Sequence, residues 1–250
     1  MEQHLTISEI KDMAKDKLKG TYFMNISTLA IFLVLALIVS FVIGLVGNMF
    51  KMNIPAVKFA LIFLLYGIFS PHMILGYIFT ALNSPEKAYN PEILQEILNK
   101  GKLSSPDIAV INAIVLTLCM LPYFFCGLFI TPTSYIAMVL ENALVLSGCI
   151  ALYLIYFLFF GQIFYLALDF PDYSIKDLFG HSLKIMKGNK IRFIKTFASF
   201  IPLSVLSVLC FFVGFLFVVP YFYMTRTIFY LDLVNPGSLK EMPDSSQIFN

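Results

Sequence analysis

Residues 24–47 read MNISTLAIFLVLALIVSFVIGLVG, a run without a single Asp, Glu, Lys or Arg. At 1.5 Å per residue a helix of that length reaches about 36 Å, enough to cross a hydrocarbon core of roughly 30 Å. The segment before it decides how it is used. Residues 2–19 are strongly charged, the run exceeds a signal-peptide core in length, and no convincing small-x-small cleavage site follows it. It reads as a retained first span.

Working outward, residues 6–19 show a different pattern. Ile7, Ile10, Met13, Ala14 and Leu18 recur at helical spacing, with Lys11, Asp12, Lys15, Asp16, Lys17 and Lys19 on the other side. Thr6 and Glu9 stand at capping-box spacing and Gly20 is the stop. An amphipathic helix lying flat on the membrane surface is expected. Downstream, further apolar stretches near 59–82, 108–130, 136–168, 191–212 and 214–233 complete a set of six. The stretch 136–168 is too long for one straight crossing, so a kink at Gly148 or a bent start after Thr131-Pro132-Thr133 is expected. The last two are parted only by an apolar turn at Val213-Gly214, which leaves two full spans or a shallow hairpin open.

Two polar segments read as surface helices. One lies within 83–107, starting at Asn90-Pro91, ending at Gly101, with Ile93, Leu94, Ile97 and Leu98 as its apolar face. The other runs from Ser174 to Lys187, with Ser174 and Asp177 at capping-box spacing and Gly188 as stop. The expected fold is all-α: a polytopic helical membrane protein of about six transmembrane helices plus amphipathic surface helices. Its organisation is an N-terminal surface helix over 1–20, a six-span domain over 21–235 and a polar tail over 236–250.

Composition agrees with lipid as solvent. Hydrophobic residues make up 59% of the chain, charged ones only 13%, against about 25% in soluble domains, and the mean hydropathy is +0.85. A net charge of +2 gives no reason to expect a nucleic-acid partner. Trp is absent, so an interfacial aromatic belt must come from Tyr and Phe. Cys119, Cys126, Cys149 and Cys210 lie in apolar runs without a CxxC pair and read as packing residues. With the N-terminus placed inside, fifteen of the 17 Lys and Arg fall on the cytoplasmic side and only Lys51 and Lys58 outside. Both termini are therefore expected in the cytoplasm.

The run His181-Ser182-Leu183-Lys184-Ile185-Met186-Lys187-Gly188-Asn189-Lys190 resembles the S-x-x-x-M-x-G-x-K cytoplasmic segment of a bacterial membrane family. Val219-Pro220-Tyr221 and Phe229-Tyr230-Leu231-Asp232-Leu233 resemble that family's P-Y … F-Y-x-D-L ending, and Ser8-Glu9-Ile10-Lys11, Ala14 and Leu18-Lys19-Gly20 its opening helix. The family is the integral-membrane group called domain of unknown function 975, itself similar to the membrane domain fused to some glycerophosphodiester phosphodiesterases. Where the family carries an Ile-Pro-Gly-like element, this chain has Phe159-Phe160-Gly161. The resemblance implies a multi-pass protein of a bacterial cytoplasmic membrane; it brings no established activity.

Catalytic constellations are missing. His4, His72 and His181 are scattered, and no HExxH, GxSxG, P-loop or GxGxxG occurs. No metal or cofactor is expected, and the chain does not read as an enzyme. Polar groups inside apolar spans are the remaining signal, because burying them in lipid is expensive. Glu141, followed by Asn142, lies about 10 Å inside the fourth stretch if its helix starts near Tyr135; an outward-facing polar cavity with Lys51 or Lys58 as counter-charge is one reading, a headgroup-level position the other. Gln162, Tyr165 and Asp169 share one face of the fourth stretch, and Tyr223, Arg226, Thr227 and Tyr230 share one face of the last. Facing one another, with Asp169 and Arg226 as an ion pair, they would bind a lipid headgroup or a peptide end; apart, Arg226 snorkels to phosphate among tyrosine anchors. His72, after Pro71, is a proton relay or a hydrogen-bond partner of a carbonyl that the proline frees. Lys184, Lys187, Lys190, Arg192 and Lys195 are expected to hold the adjoining helix against an anionic leaflet.

The function expected from these features is binding of a lipid or a partner membrane protein, in an accessory or immunity-type role. The partners are membrane lipids and another membrane protein or a second copy. A small-solute transporter or channel subunit, motivated by Glu141, His72 and prolines 71, 122, 202 and 220, is the alternative, and a scaffold with no ligand site the third.

Overall fold

The computed structural model describes residues 4–49, Tyr77, 106–129, 134–170, 173–211 and 213–235. Helix α1 spans Ile7–Leu18 and opens on the expected capping box: Thr6 Oγ1 accepts from the Glu9 amide at 3.3 Å, and the Glu9 carboxylate accepts from the Thr6 amide at 2.6 Å. Gly20, at φ +85, ends it. Its apolar face, Ile10, Ala14 and Leu18, is fully buried, because α1 packs chiefly on the last helix. The face expected to rest on lipid is covered by protein.

Helix α2 spans Tyr22–Met49 and contains the opening run. Helix α3 spans Pro106–Phe129 and accommodates Pro122 within it. Helix α4 spans Tyr135–Phe160, with Ser134 as its N-cap, and packs along α3. The long fourth stretch breaks at Gly161-Gln162 and resumes as α5, Ile163–Asp169. Gly148, where a kink was expected, stays inside α4. Helix α6, Ile175–Ile185, is capped by Ser174 accepting from the Asp177 amide at 3.3 Å. Gly188, at φ +86, turns the chain in a conformation that costs an L side chain about 1–2 kcal/mol.

Beyond it the fifth stretch is two helices, α7 (Lys190–Ala198) and α8 (Ile201–Leu209). Pro202 explains the break: it has no N–H to offer the Ala198 carbonyl, and a proline is tolerated where it sits, in the first turn of α8. A tight turn holding Phe211 at φ +52 leads to α9, Phe215–Val234. Pro220 lies within α9.

Three described stretches are long and apolar enough to cross a membrane: Asn25–Val46, Val139–Ala167 and Lys190–Leu209. Their large apolar side chains are widely exposed, Leu37, Leu144 and Leu209 each above two-thirds. A soluble monomer rarely presents contiguous apolar surface on that scale. The expected span at 59–82 lies outside the described residues except for Tyr77, and the surface helix expected between Asn90 and Gly101 and the tail at 236–250 lie wholly outside them. The expected span at 214–233 is helical as α9 but mostly buried within the protein. No strand occurs among the described residues.

The core gathers on α9. It contacts α1, α2 and α8, while α4 packs on α6 and α7, and α5 on α6. Phe193, Phe197, Phe200, Tyr221 and Phe222 interlock there with ring centroids 4.6–5.4 Å apart, in tilted or edge-on pairs that add to their apolar burial.

Candidate functional site

The α4–α5 break exposes carbonyls that a continuous helix would have served. Ser182 Oγ, from α6, donates to the Phe159 carbonyl at 2.9 Å. The Gly161 carbonyl accepts from Arg226 Nη2 of α9. The two polar stripes read from the sequence therefore do face each other. Tyr165 Oη and Thr227 Oγ1 are 3.1 Å apart, the Tyr165 and Tyr230 rings stack at 4.8 Å, and Tyr230 Oη donates to the Asp169 carboxylate.

The expected Asp169–Arg226 ion pair does not form. Asp169 sits at the exposed end of α5 and takes Tyr230, whereas Arg226 lies inside, 5% exposed, between the rings of Phe157 (4.5 Å) and Tyr165 (5.1 Å). Seven residues separate Gln162 from Asp169, nearly two turns along the axis. The Arg226 guanidinium reaches the turn at Gly161, well short of the carboxylate.

Several buried atoms here have no partner among the described residues. Both amide atoms of Gln162, which is fully enclosed, are unbonded, as are Arg226 Nε and the hydroxyl of Tyr77. Tyr77 stacks flat on Tyr223 at 5.6 Å, one turn of α9 before Thr227. Among the described residues no carboxylate comes within ion-pair distance of Arg226. The arrangement is a buried cation beside a two-way hydrogen-bonding amide, roofed by aromatic rings.

A family model described as "Protein of unknown function (DUF975)" matches residues 1–236. The chain belongs to the DUF975 family. No curated protein and no solved structure matches it.

The DUF975 chain holds a second polar centre on the other side of α9, which the sequence reading did not single out. Asp232, fully buried, accepts from Arg192, from the Leu5 amide at 3.0 Å and lies 3.1 Å from His4 Nδ1. Arg192 Nη2 also donates to the Leu5 carbonyl at 2.8 Å. One carboxylate thus fastens the segment before α1 to α7 and α9. The available signal was an acid and an arginine, each embedded among apolar residues, at the ends of the two helices of one hairpin.

Of the expected membrane-surface set, Arg192 is an internal ion-pair partner, and Lys190 Nζ lies 3.7 Å from the Phe159 ring centroid. Lys184, Lys187 and Lys195 are exposed. Glu141 is half-buried near the start of the apolar stretch that begins at Val139, and Asn142 beside it is exposed. They stand apart from the α4–α5–α9 cluster, about five turns of α4 from Gly161. His72 and the suggested counter-charges Lys51 and Lys58 lie outside the described residues. Among the described residues no three His, Cys, Asp or Glu side chains come together as a metal site would need.

Proposed function

We propose that this DUF975 chain is a non-enzymatic integral membrane protein of a bacterial cytoplasmic membrane that binds an anionic group at the α4–α5–α9 cluster. That group belongs to a lipid or to a partner membrane protein. The observation that carries the reading is Arg226, a buried guanidinium whose one hydrogen-bond acceptor among the described residues is a backbone carbonyl, beside the Gln162 amide, which has no partner among them. Buried charges are normally paired, and an uncompensated one costs several kcal/mol. An incoming anion supplies the missing charge, and a hydroxyl or N–H next to it satisfies Gln162 Oε1. The reading keeps six spans with both termini in the cytoplasm, supported by the fifteen-to-two distribution of basic residues. The resemblance to the membrane domain of glycerophosphodiester phosphodiesterases expected from the sequence would fit a role beside lipid chemistry carried out by another protein.

Native mass spectrometry of protein gently extracted from its own membrane tests this. A retained mass is expected in the wild type and in Arg226→Lys, and its loss in Arg226→Met and Gln162→Leu. The mass itself separates a lipid from a protein partner. Retention that is unchanged in both loss variants ends the reading.

One observation favours a small-solute transporter instead: the helix break at Gly161-Gln162 interrupts an otherwise apolar span, as in transporters that build substrate sites from discontinuous helices. Solute flux in proteoliposomes, lost in Arg226→Met, decides for it; silence across a broad solute panel decides against it.

A further inference from the structure

A cavity of about 320 Å³ opens between α7, α8 and α9. Its walls are almost wholly apolar: Phe197, Phe200, Ile201, Val205, Val208 and Phe222. Ile201 and Val205 are more than half exposed, so the groove is open along a helix pair whose first arm is long and apolar enough to cross a membrane.

The groove has a charged end. Lys11 Nζ, from α1, lies 4.9 Å from the centroid of the Phe200 ring that forms the wall, and donates to Ser199 Oγ at 3.1 Å. Lys15 Nζ, one turn later, and Lys11 Nζ both stand 5.9 Å from the Tyr221 ring, which itself packs on Phe200 at 5.0 Å. Lys15 has Asp12 at 3.4 Å; Lys11 has no carboxylate at ion-pair distance among the described residues. Among the described residues the mouth therefore carries two ammonium groups against one carboxylate, that of Asp12. Burial, and then the neighbouring Lys15, lower the Lys11 ammonium from its ordinary value, while Asp12 acts in the opposite sense.

We propose that this groove is a binding site for one anionic phospholipid, with an acyl chain along Phe197, Val205 and Phe222 and the phosphate on Lys11 and Lys15. Charge and shape select the occupant together. An open apolar trough suits a hydrocarbon chain, and two ammonium groups at its end suit a phosphate. A zwitterionic headgroup brings its own cation into that mouth and gains less. The groove shares no lining residue with the Arg226 cluster, although Phe197 packs on Phe157, whose ring covers Arg226; the proposal stands whether or not that cluster binds anything.

The absence of Trp makes the test direct. Val205→Trp places a lone reporter in the groove, and Leu37→Trp places one on the open face of α2, each in vesicles of phosphatidylcholine doped with brominated phosphatidylglycerol or brominated phosphatidylcholine. At Val205→Trp, brominated phosphatidylglycerol is expected to quench at lower mole fraction, with a preference of about fivefold for each lysine engaged. At Leu37→Trp the two lipids quench alike. Adding Lys11→Gln, which keeps a donor for Ser199, together with Lys15→Gln removes the preference at Val205→Trp. Equal quenching by both lipids in the groove overturns the proposal. So does a preference that also appears at Leu37→Trp, or one that survives both lysine changes. An unaltered Leu37→Trp emission spectrum in the double-lysine background shows that the fold is retained.

Discussion

Helices α2 and α9 are both long enough to cross a bilayer, yet they solve opposite problems. α2 shows one side chain after another to its surroundings; Leu37 is 70% exposed and Phe41 67%. It has no charged residue, and three short polar ones, Asn25, Ser27 and Thr28, gather near its start. α9 is buried from Pro220 to Tyr230 with few interruptions and carries Arg226, Asp232, Thr225, Thr227 and three tyrosines. The difference follows from the neighbour. Lipid offers no hydrogen bonds, so the helix that touches it is stripped of polar atoms. A helix surrounded by protein is free to hold polar atoms wherever another element supplies a partner. α9 is therefore the centre of the molecule, and both of its polar faces are specified by what they meet: α4 and α5 on one, the segment before α1 and α7 on the other.

The sharpest way to break this comparison is at Asp232. Asp232→Ala leaves Arg192, the Leu5 amide and His4 without their acceptor, and truncating one member of a buried pair typically costs about 3–5 kcal/mol. A large fall in the thermal unfolding midpoint in detergent is expected. Asp232→Leu combined with Arg192→Met removes both charges and is expected to recover most of it. If the double variant is as damaged as the single, the pair is not the fastening.

Gln162→Leu comes next and has the opposite sign. The side chain is fully enclosed, both amide atoms lack a partner among the described residues, and an unsatisfied buried polar group costs about 1–3 kcal/mol. Replacing it by an apolar residue of similar size is expected to raise the unfolding midpoint of protein stripped of lipid. A fall instead means that Gln162 has a partner in the stripped protein.

How far these features could be read beforehand depends on the range of the interaction. The capping box at Thr6, the N-cap at Ser174, the glycine stops and the apolar runs are local, set by neighbours three or four residues apart, and the sequence displayed them directly. The facing stripes at Gln162, Tyr165 and Tyr230 were legible too, because helical spacing puts each set on one face. Three things were not legible. Which carboxylate meets which arginine depends on axial offset: Arg226 falls at Gly161, and Asp169 lies two turns away. That Asp232 reaches Arg192 and the chain at Leu5 needs contacts spanning 40 and 227 residues. The break at Gly161 rather than Gly148 turns on Ser182 and Arg226 being present to receive the released carbonyls, which no local pattern records.

A smaller effect separates the hydroxyl from the ring at the stacked pair. Tyr165→Phe keeps the 4.8 Å stack on Tyr230 and loses the contact with Thr227. Thr227 Oγ1 still has the Tyr223 carbonyl at 3.0 Å, so nothing there is left stranded. A loss of about 1 kcal/mol is expected, as for one ordinary hydrogen bond, read as a small downward shift in the unfolding midpoint. A loss several times larger assigns the Tyr165 hydroxyl a role in the neighbouring Arg226 cluster.

The smallest effect belongs to α2, and it tests the other half of the comparison. Leu37→Ala removes two methyl carbons and one methine carbon from a side chain that is 70% exposed. In a soluble core that deletion costs 2–5 kcal/mol, because atoms leave protein for a cavity. On a lipid face the acyl chains close over the smaller residue, and the inserted but unpacked helix meets the same lipid, so the two states lose nearly the same contacts. A change within about 0.5 kcal/mol is expected, measured by the same unfolding midpoint. A cost above about 1.5 kcal/mol can arise only if something other than lipid lies on that face. α2 would then be an interface with a second chain, and its uniform apolarity would reflect a partner helix rather than the bilayer.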